Sequence, residues 1–306
     1  MDQIEEIKKI FGSDLQENVP LKNYTTMKVG GEARYFYPAR KINDLINAIV
    51  SVEELKIPYF ILGGGSNTIF SDRGFDGLVI LNRTGNIAFL PDKAQVIVDS
   101  GVSLKRLIME TANHDLGGLE PLYGIPGTIG GAIYGNCGAF GMEIANFIKS
   151  LTVLKPDGKI ARYDLNWLMP EYRSTKIKKL KKQKKSTVII LSVTLQLMHQ
   201  KKEEIVKKLQ QFRKMREEKQ PYDKPSSGSV FRNIGTEKEK TAGYILEQVG
   251  AKKIKIGGAE VSRKHANFVV NNGYATASDI KQIIEQMKIL AHDKYGVELE
   301  EEVEII

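Results

Sequence analysis

The residues best placed for chemistry in this 306-residue chain are glycines. Three of its 28 stand together in Gly63-Gly64-Gly65-Ser66-Asn67, and nine more fall between Gly117 and Gly141. Without a Cβ, glycine enters positive φ and lets main-chain amides close directly on an anion, so the two clusters outline a site for a large anionic ligand. The second cluster carries Leu119, Leu122, Tyr123, Ile125, Ile129, Ile133 and Phe140 between its glycines, which marks a packed segment; a flexible linker would be rich in Gly and Ser and poor in apolar residues.

Common alternatives fail on spacing. No Gly-x-x-x-x-Gly-Lys-Ser/Thr occurs, and Gly63-Gly64-Gly65-Ser66-Asn67 does not fit Gly-x-Gly-x-x-Gly, nor does an acidic residue follow at the distance that would hold a ribose. No Gly-x-Ser-x-Gly elbow supports a serine hydrolase. The single cysteine, Cys137, excludes an internal disulfide and a cysteine-based metal site; it reads as a small packed side chain, and no metal is expected.

With 42% hydrophobic residues the chain can build two or three cores. It shows no membrane-length apolar run and its first residues lack a signal-peptide pattern, which reads as a cytoplasmic protein. The net charge of +8 is local. Arg173 to Lys185 holds eight basic residues and no acidic one, and removing those eight from the 45 leaves 37 basic against 37 acidic. The Lys176–Lys185 run reads as a solvated loop, because it has no interleaved aromatics for stacking bases, and nucleic acid is not an expected partner.

The elements around these motifs follow from periodicity. Helices are expected over Gln3–Phe11 with Asp2 as cap, Ile42–Leu55, Leu104–Asn113 capped by Ser103, Glu203–Glu218, Tyr244–Val249 and Asp279–Tyr295 capped by Ser278. A strand is expected from Tyr24 running into a double-glycine turn at Gly30-Gly31, with further strands over Tyr59–Leu62, Leu78–Leu81, Val96–Val98, Ser150–Leu154, Thr187–Leu197 and Phe268–Val270. Irregular alternation favours an α+β fold. In Val297–Ile306, strict alternation puts Val297, Leu299, Val303 and Ile305 on one face, makes Glu301 an intruder there and turns Glu302 outward.

Leu62-Gly63-Gly64-Gly65-Ser66-Asn67, Gly74 to Ile80, Gly124-Ile125-Pro126-Gly127 through Asn136-Cys137-Gly138-Ala139-Phe140-Gly141, Pro225 to Asn233 and Gly296 to Val303 together resemble the UDP-N-acetylenolpyruvoylglucosamine reductase family over nearly the whole chain. The resemblance implies an FAD-binding domain of the vanillyl-alcohol-oxidase type in two subdomains, 1–82 and 83–201, followed by a substrate domain, 202–306, with its last strand able to return to the first subdomain. It implies FAD and NADPH, the substrate UDP-N-acetylglucosamine enolpyruvate, a role in peptidoglycan synthesis and a monomer. No obvious long tyrosine-bearing loop occurs, which points to the shorter form of the family.

The same resemblance assigns roles. Arg173 would grip the substrate carboxylate, Ser229 would protonate the α-carbon, and Glu302 would be the second acid, against the alternation reading. The cofactor would lie against Gly30, Gly63, Gly64, Gly65, Ser66, Asn67, Gly124, Ile125, Pro126, Gly127, Thr128, Gly130, Gly131, Asn136, Gly138 and Ala139. Lys219, Arg232 and Asn233 would meet the substrate's phosphates and sugar. The chain's four histidines lie outside both glycine clusters, so FAD is expected to be held non-covalently. The competing readings are an FAD-dependent sugar-alcohol oxidase and a nucleic-acid-binding protein using Lys176–Lys185.

Overall fold

The computed structural model describes residues 3–183 and 187–306; the Asp2 cap and the end of the basic run, Lys184–Lys185, lie outside them. Two compact units emerge. The first holds residues up to Gln16, Phe36–Gly64 and Leu78–Met215; the second holds Glu17–Tyr35, Gly65–Gly77 and Arg216–Ile306. Segments 17–35 and 65–77, which the sequence division leaves in 1–82, thus group with the C-terminal stretch, and the division at 215/216 falls inside the helix Lys202–Lys219.

The first unit is built on a five-stranded antiparallel sheet in the order Ile160–Asp164, Ile148–Leu154, Ile189–Gln196, Gln95–Asp99, Ile87–Leu90. Period-2 alternation buries Val96 and Val98 while Ile97 stays exposed, as a sheet with one covered face requires. The helix Leu104–Asn113 lays Leu104, Leu107, Ile108, Thr111 and Ala112 inward, and the Ser103 hydroxyl caps it by accepting from Arg106 N at 3.2 Å. Tyr59–Leu62 pairs in parallel with Leu78–Leu81 and delivers the chain to Gly63.

The second unit has a four-stranded antiparallel sheet in the order Ser226–Ser229, Phe268–Asn271, Ala259–Val261, Lys255–Ile256. The helix Ala277–Tyr295 buries Ile280, Ile283, Ile284, Met287 and Ala291, one stripe at helical spacing. Met27, Val29 and Ile69 share that core with Val230, Phe231, Leu299 and Val303. The last strand, Glu304–Ile305, pairs in parallel with Thr68–Ile69.

The α+β expectation holds, with local corrections. The strand expected to run from Tyr24 into the Gly30-Gly31 turn is absent: a 3-10 turn ends at Tyr24, Lys28 takes positive φ, and the strand follows at Glu32–Ala39, while Gly30 does turn, at φ +117°. The C-terminal long helix is capped by Thr276, whose hydroxyl accepts from Asp279 N at 3.0 Å, and not by Ser278. The basic run is no plain loop: Lys176–Lys182 is a helix capped by Thr175, with Ile177 and Lys178 buried. Among the described residues no helix is long and apolar enough to cross a membrane.

Candidate active site

In the first unit the two glycine segments lie against each other. A Cβ on Gly63 would stand 2.4 Å from Thr128 Oγ1, and one on Gly64 would stand 2.7 Å from Gly127 Cα. Only glycine permits this backbone-on-backbone approach. The downstream segment is then fixed in place: Leu104 N donates to Gly127 O at 3.0 Å, Ile129 N to Val102 O at 2.9 Å and Gly130 N to Ser100 O at 2.8 Å. Thr128 caps the short helix Ile129–Tyr134, its hydroxyl accepting from Gly131 N.

This unit holds Gly63, Gly64, Gly124, Ile125, Pro126, Gly127, Thr128, Gly130, Gly131, Asn136, Gly138, Ala139 and Arg173; the second holds Gly30, Gly65, Ser66, Asn67, Ser229, Arg232, Asn233 and Glu302. The packing of Gly63 and Gly64 against Gly127 and Thr128 leaves stretches of bare backbone side by side, and main-chain N–H groups on such stretches suit a phosphate-bearing dinucleotide such as FAD.

Arg173 sits at the tip of a tight turn. Glu171 and Ser174 bond each other in both directions, at 2.9 and 3.1 Å, and Arg173 adopts φ +54°. Such a left-handed conformation in a non-glycine residue costs about 1 kcal/mol and persists only where the surroundings impose it. Here they do. The Asn136 amide donates to Glu171 O at 2.9 Å and to Glu143 Oε2 at 2.8 Å, while the fully buried Thr175 hydroxyl donates to Tyr134 O at 2.9 Å. The guanidinium donates through Nη2 to Gly138 O at 2.8 Å and lies over the Tyr172 ring. Asn136 therefore spends its side chain on holding this turn.

In the second unit, Ser229 ends the strand Ser226–Ser229 opposite Phe268, just after Gly228 at φ +76°. Thr26 ties the start of that strand to the third glycine of the first cluster: its hydroxyl donates to Ser226 O at 2.7 Å and its amide to Gly65 O at 3.0 Å. A Cβ on Gly65, at φ +59°, would fall 2.0 Å from Tyr24 O. Neither Thr26 nor the buried amides described below stood out in the sequence, because one polar residue in a short irregular segment leaves no periodic trace.

The C-terminal segment corrects the alternation reading. Glu302 N and Val303 N both reach Val230 O, at 2.7 and 3.4 Å, so two residues oppose one and the alternation breaks at a bulge. Both Glu301 and Glu302 end up half-buried, and Ile305 is exposed. Glu301 is engaged by Lys288, whose ammonium is raised above its ordinary pKa: burial pulls it down, but Glu301 and Glu285 more than offset that. Glu302 is held through its main chain, its carbonyl accepting from Asn67 Nδ2 at 2.9 Å. Asn67 O in turn accepts from Glu304 N at 2.8 Å.

The three residues expected to meet phosphates and sugar differ in their surroundings. Lys219 ends its helix exposed to solvent. Arg232 Nη1 lies 3.2 Å from the Glu300 carboxylate, and Asn233 Oδ1 accepts from Ala242 N at 3.1 Å at the start of the helix Ala242–Gln248. Among the described residues no group of three or more His, Cys, Asp or Glu side chains could hold a metal ion.

Sequence and structure comparisons identify the family. A profile for the C-terminal domain of UDP-N-acetylenolpyruvoylglucosamine reductase matches residues 220–306, and one for an FAD-binding domain matches residues 33–164. The chain is similar to the reductase of Anoxybacillus flavithermus, 36% identical over 99% of this chain and 97% of the relative, and to that of Thermotoga sp. strain RQ2, 38% identical over 100% and 98%. The crystal structure of the reductase from Thermus caldophilus superposes with a TM-score of 0.78 at 30% identity, covering 95% of this chain and 99% of that one. Matched along its whole length in this way, the chain belongs to the UDP-N-acetylenolpyruvoylglucosamine reductase family, in its shorter form, and is an FAD-binding oxidoreductase.

Proposed function

We propose that the protein reduces the enolpyruvyl ether of UDP-N-acetylglucosamine enolpyruvate to the lactyl ether of UDP-N-acetylmuramate, with NADPH as reductant, as a cytoplasmic monomer supplying peptidoglycan synthesis. The glycine segments would hold FAD without a covalent bond, and the chemistry it would supply there is hydride transfer between NADPH and the substrate's terminal vinyl carbon. The chain's own residues manage the charge and the proton. Hydride addition turns the vinyl CH2 into a methyl group and pushes negative charge toward the carboxylate; Arg173, permanently charged and fork-shaped, suits that carboxylate. Ser229 delivers the proton to the α-carbon, with Glu302 as the acid beside the developing enolate.

The observation that supports this reading best is the 2.7 Å hydrogen bond from Glu302 N to Val230 O, which ties the backbone of Glu302 to the residue that follows Ser229. Lys219 and Arg232 offer positive charge for the diphosphate, and Asn233 lies one residue beyond Arg232.

The test is anaerobic. Yellow holoenzyme is bleached with NADPH and then mixed with UDP-N-acetylglucosamine enolpyruvate. Return of the oxidised flavin spectrum with formation of UDP-N-acetylmuramate is expected; a spectrum that stays bleached overturns the proposal.

A further inference from the structure

We propose that Asn267 is a positioning residue for proton delivery: its buried amide fixes the main chain that carries Ser229 and, through Val230, Glu302. The inference rests on the reductase reading above and assigns a role to a residue outside the sites that reading uses.

Asn267 is 2% exposed. Its Oδ1 accepts from Phe231 N at 2.9 Å and its Nδ2 donates to Phe231 O at 2.8 Å, so one side chain takes both main-chain groups of Phe231. Its own carbonyl accepts from Val230 N at 2.8 Å. Strand pairing between Ser226–Ser229 and Phe268–Asn271 shifts register between Ser226 and Ser229, and the amide stands in for ladder bonds just past that irregularity.

The other edge of the same short stretch bonds the C-terminal segment. Arg232 N donates to Glu300 O at 2.9 Å, and Glu302 N and Val303 N converge on Val230 O. Val230 and Phe231 are both 1% exposed, so the stretch has no room to adjust independently. Tilting the Phe231 peptide moves Val230 O, and with it the acceptor that holds Glu302, while also turning Ser229. Only a carboxamide offers the donor and acceptor pair this requires; a carboxylate would face the Phe231 carbonyl with a second acceptor.

The test compares wild type with Asn267→Ala and Asn267→Asp as flavin-loaded proteins, following the two half-reactions separately in anaerobic stopped flow. Bleaching by NADPH is expected to stay within about twofold of wild type, and substrate affinity, read from flavin spectral titration, to change little. Recolouring by UDP-N-acetylglucosamine enolpyruvate is expected to slow about thirty-fold or more in Asn267→Ala, as for loss of an interaction made only in the transition state. Its solvent deuterium isotope effect is expected to rise as protonation becomes limiting. Asn267→Asp, which keeps the side-chain volume, should fall between the two, and it decides the matter alone if the alanine variant does not fold. Equal slowing of both half-reactions, or recolouring within about threefold of wild type, overturns the inference. A wild type that NADPH bleaches but the substrate does not recolour overturns the functional reading first and this inference with it.

Discussion

Gly64→Ala tests the cradle directly. The new Cβ would stand 2.7 Å from Gly127 Cα, 3.3 Å from its carbonyl carbon and 3.4 Å from its nitrogen. Carbon pairs are comfortable at about 3.5–4.0 Å, so the two glycine segments would have to part by roughly 1 Å. Gly127 cannot yield alone: it holds φ +122°, its carbonyl accepts from Leu104 N at 3.0 Å, and Thr128 is bridged to Ser103. Overpacking against such backbone costs about 1–3 kcal/mol. Spread over a widened cradle, that cost weakens FAD binding by about tenfold to a hundredfold, at roughly 1.4 kcal/mol per factor of ten. Gly131→Ala supplies the contrast, because its Cβ meets nothing closer than Thr128 Oγ1 at 3.7 Å and the residue is helical. Alanine there should stabilise the flavin-free protein by about 0.5–1 kcal/mol. Flavin fluorescence titration gives the affinities and thermal melting of the flavin-free forms gives the stabilities. A Gly64→Ala protein that binds FAD within twofold of wild type and melts unchanged would refute the close-approach argument.

The two adjacent glutamates should separate by readout. Glu301→Gln breaks the pair with Lys288 and should lower stability by about 1 kcal/mol with little effect on flavin recolouring, whereas Glu302→Gln should slow recolouring by about 10²–10⁴-fold; slowing in Glu301→Gln and not in Glu302→Gln would reassign the second acid. His265 is depressed below its ordinary pKa, chiefly by burial and then by Lys252. The unfolded chain therefore takes up this proton first, and stability falls as pH drops from about 6.5 toward the folded value, by at most about 1.4 kcal/mol per pH unit. Denaturation curves of wild type and His265→Gln between pH 5 and 7 should converge at the acid end if this holds, and run parallel if it does not. Thr175→Val removes a helix cap and the bond to Tyr134 O, and should cost about 1–2 kcal/mol in urea unfolding.

What could be read in advance was local. The helices Leu104–Asn113 and Ala277–Tyr295 announced themselves because burial repeats at helical spacing within one segment and a cap lies beside it. The strand Glu32–Ala39 did not, since Pro38 and alternating charges disguise it. Thr276 wins over Ser278 as cap because Asp279 lies three residues on and closes a capping box, a pattern legible in the sequence itself.

The candidate site divides along the same line. Clustered glycines could be found because their spacing is itself the signal, yet which segment meets which is a tertiary fact. The asparagine bonds were invisible for a stronger reason: Asn136 reaches Glu171 across 35 residues, Asn267 reaches Phe231 across 36, and Asn67 reaches Glu302 across 235. Each amide replaces a main-chain partner where the backbone is irregular, at a left-handed turn, past a register shift and beside a bulge. Periodicity breaks down at those same places, and the Glu301–Glu302 reading failed there too. Proton-bearing residues tend to need such irregular backbone, because a regular strand alternates its side chains between two faces and cannot bring successive ones to one face. The feature that hides these positions from pattern reading is therefore the one that equips them for chemistry, and a buried asparagine bonded to distant main chain is a structural marker for finding them.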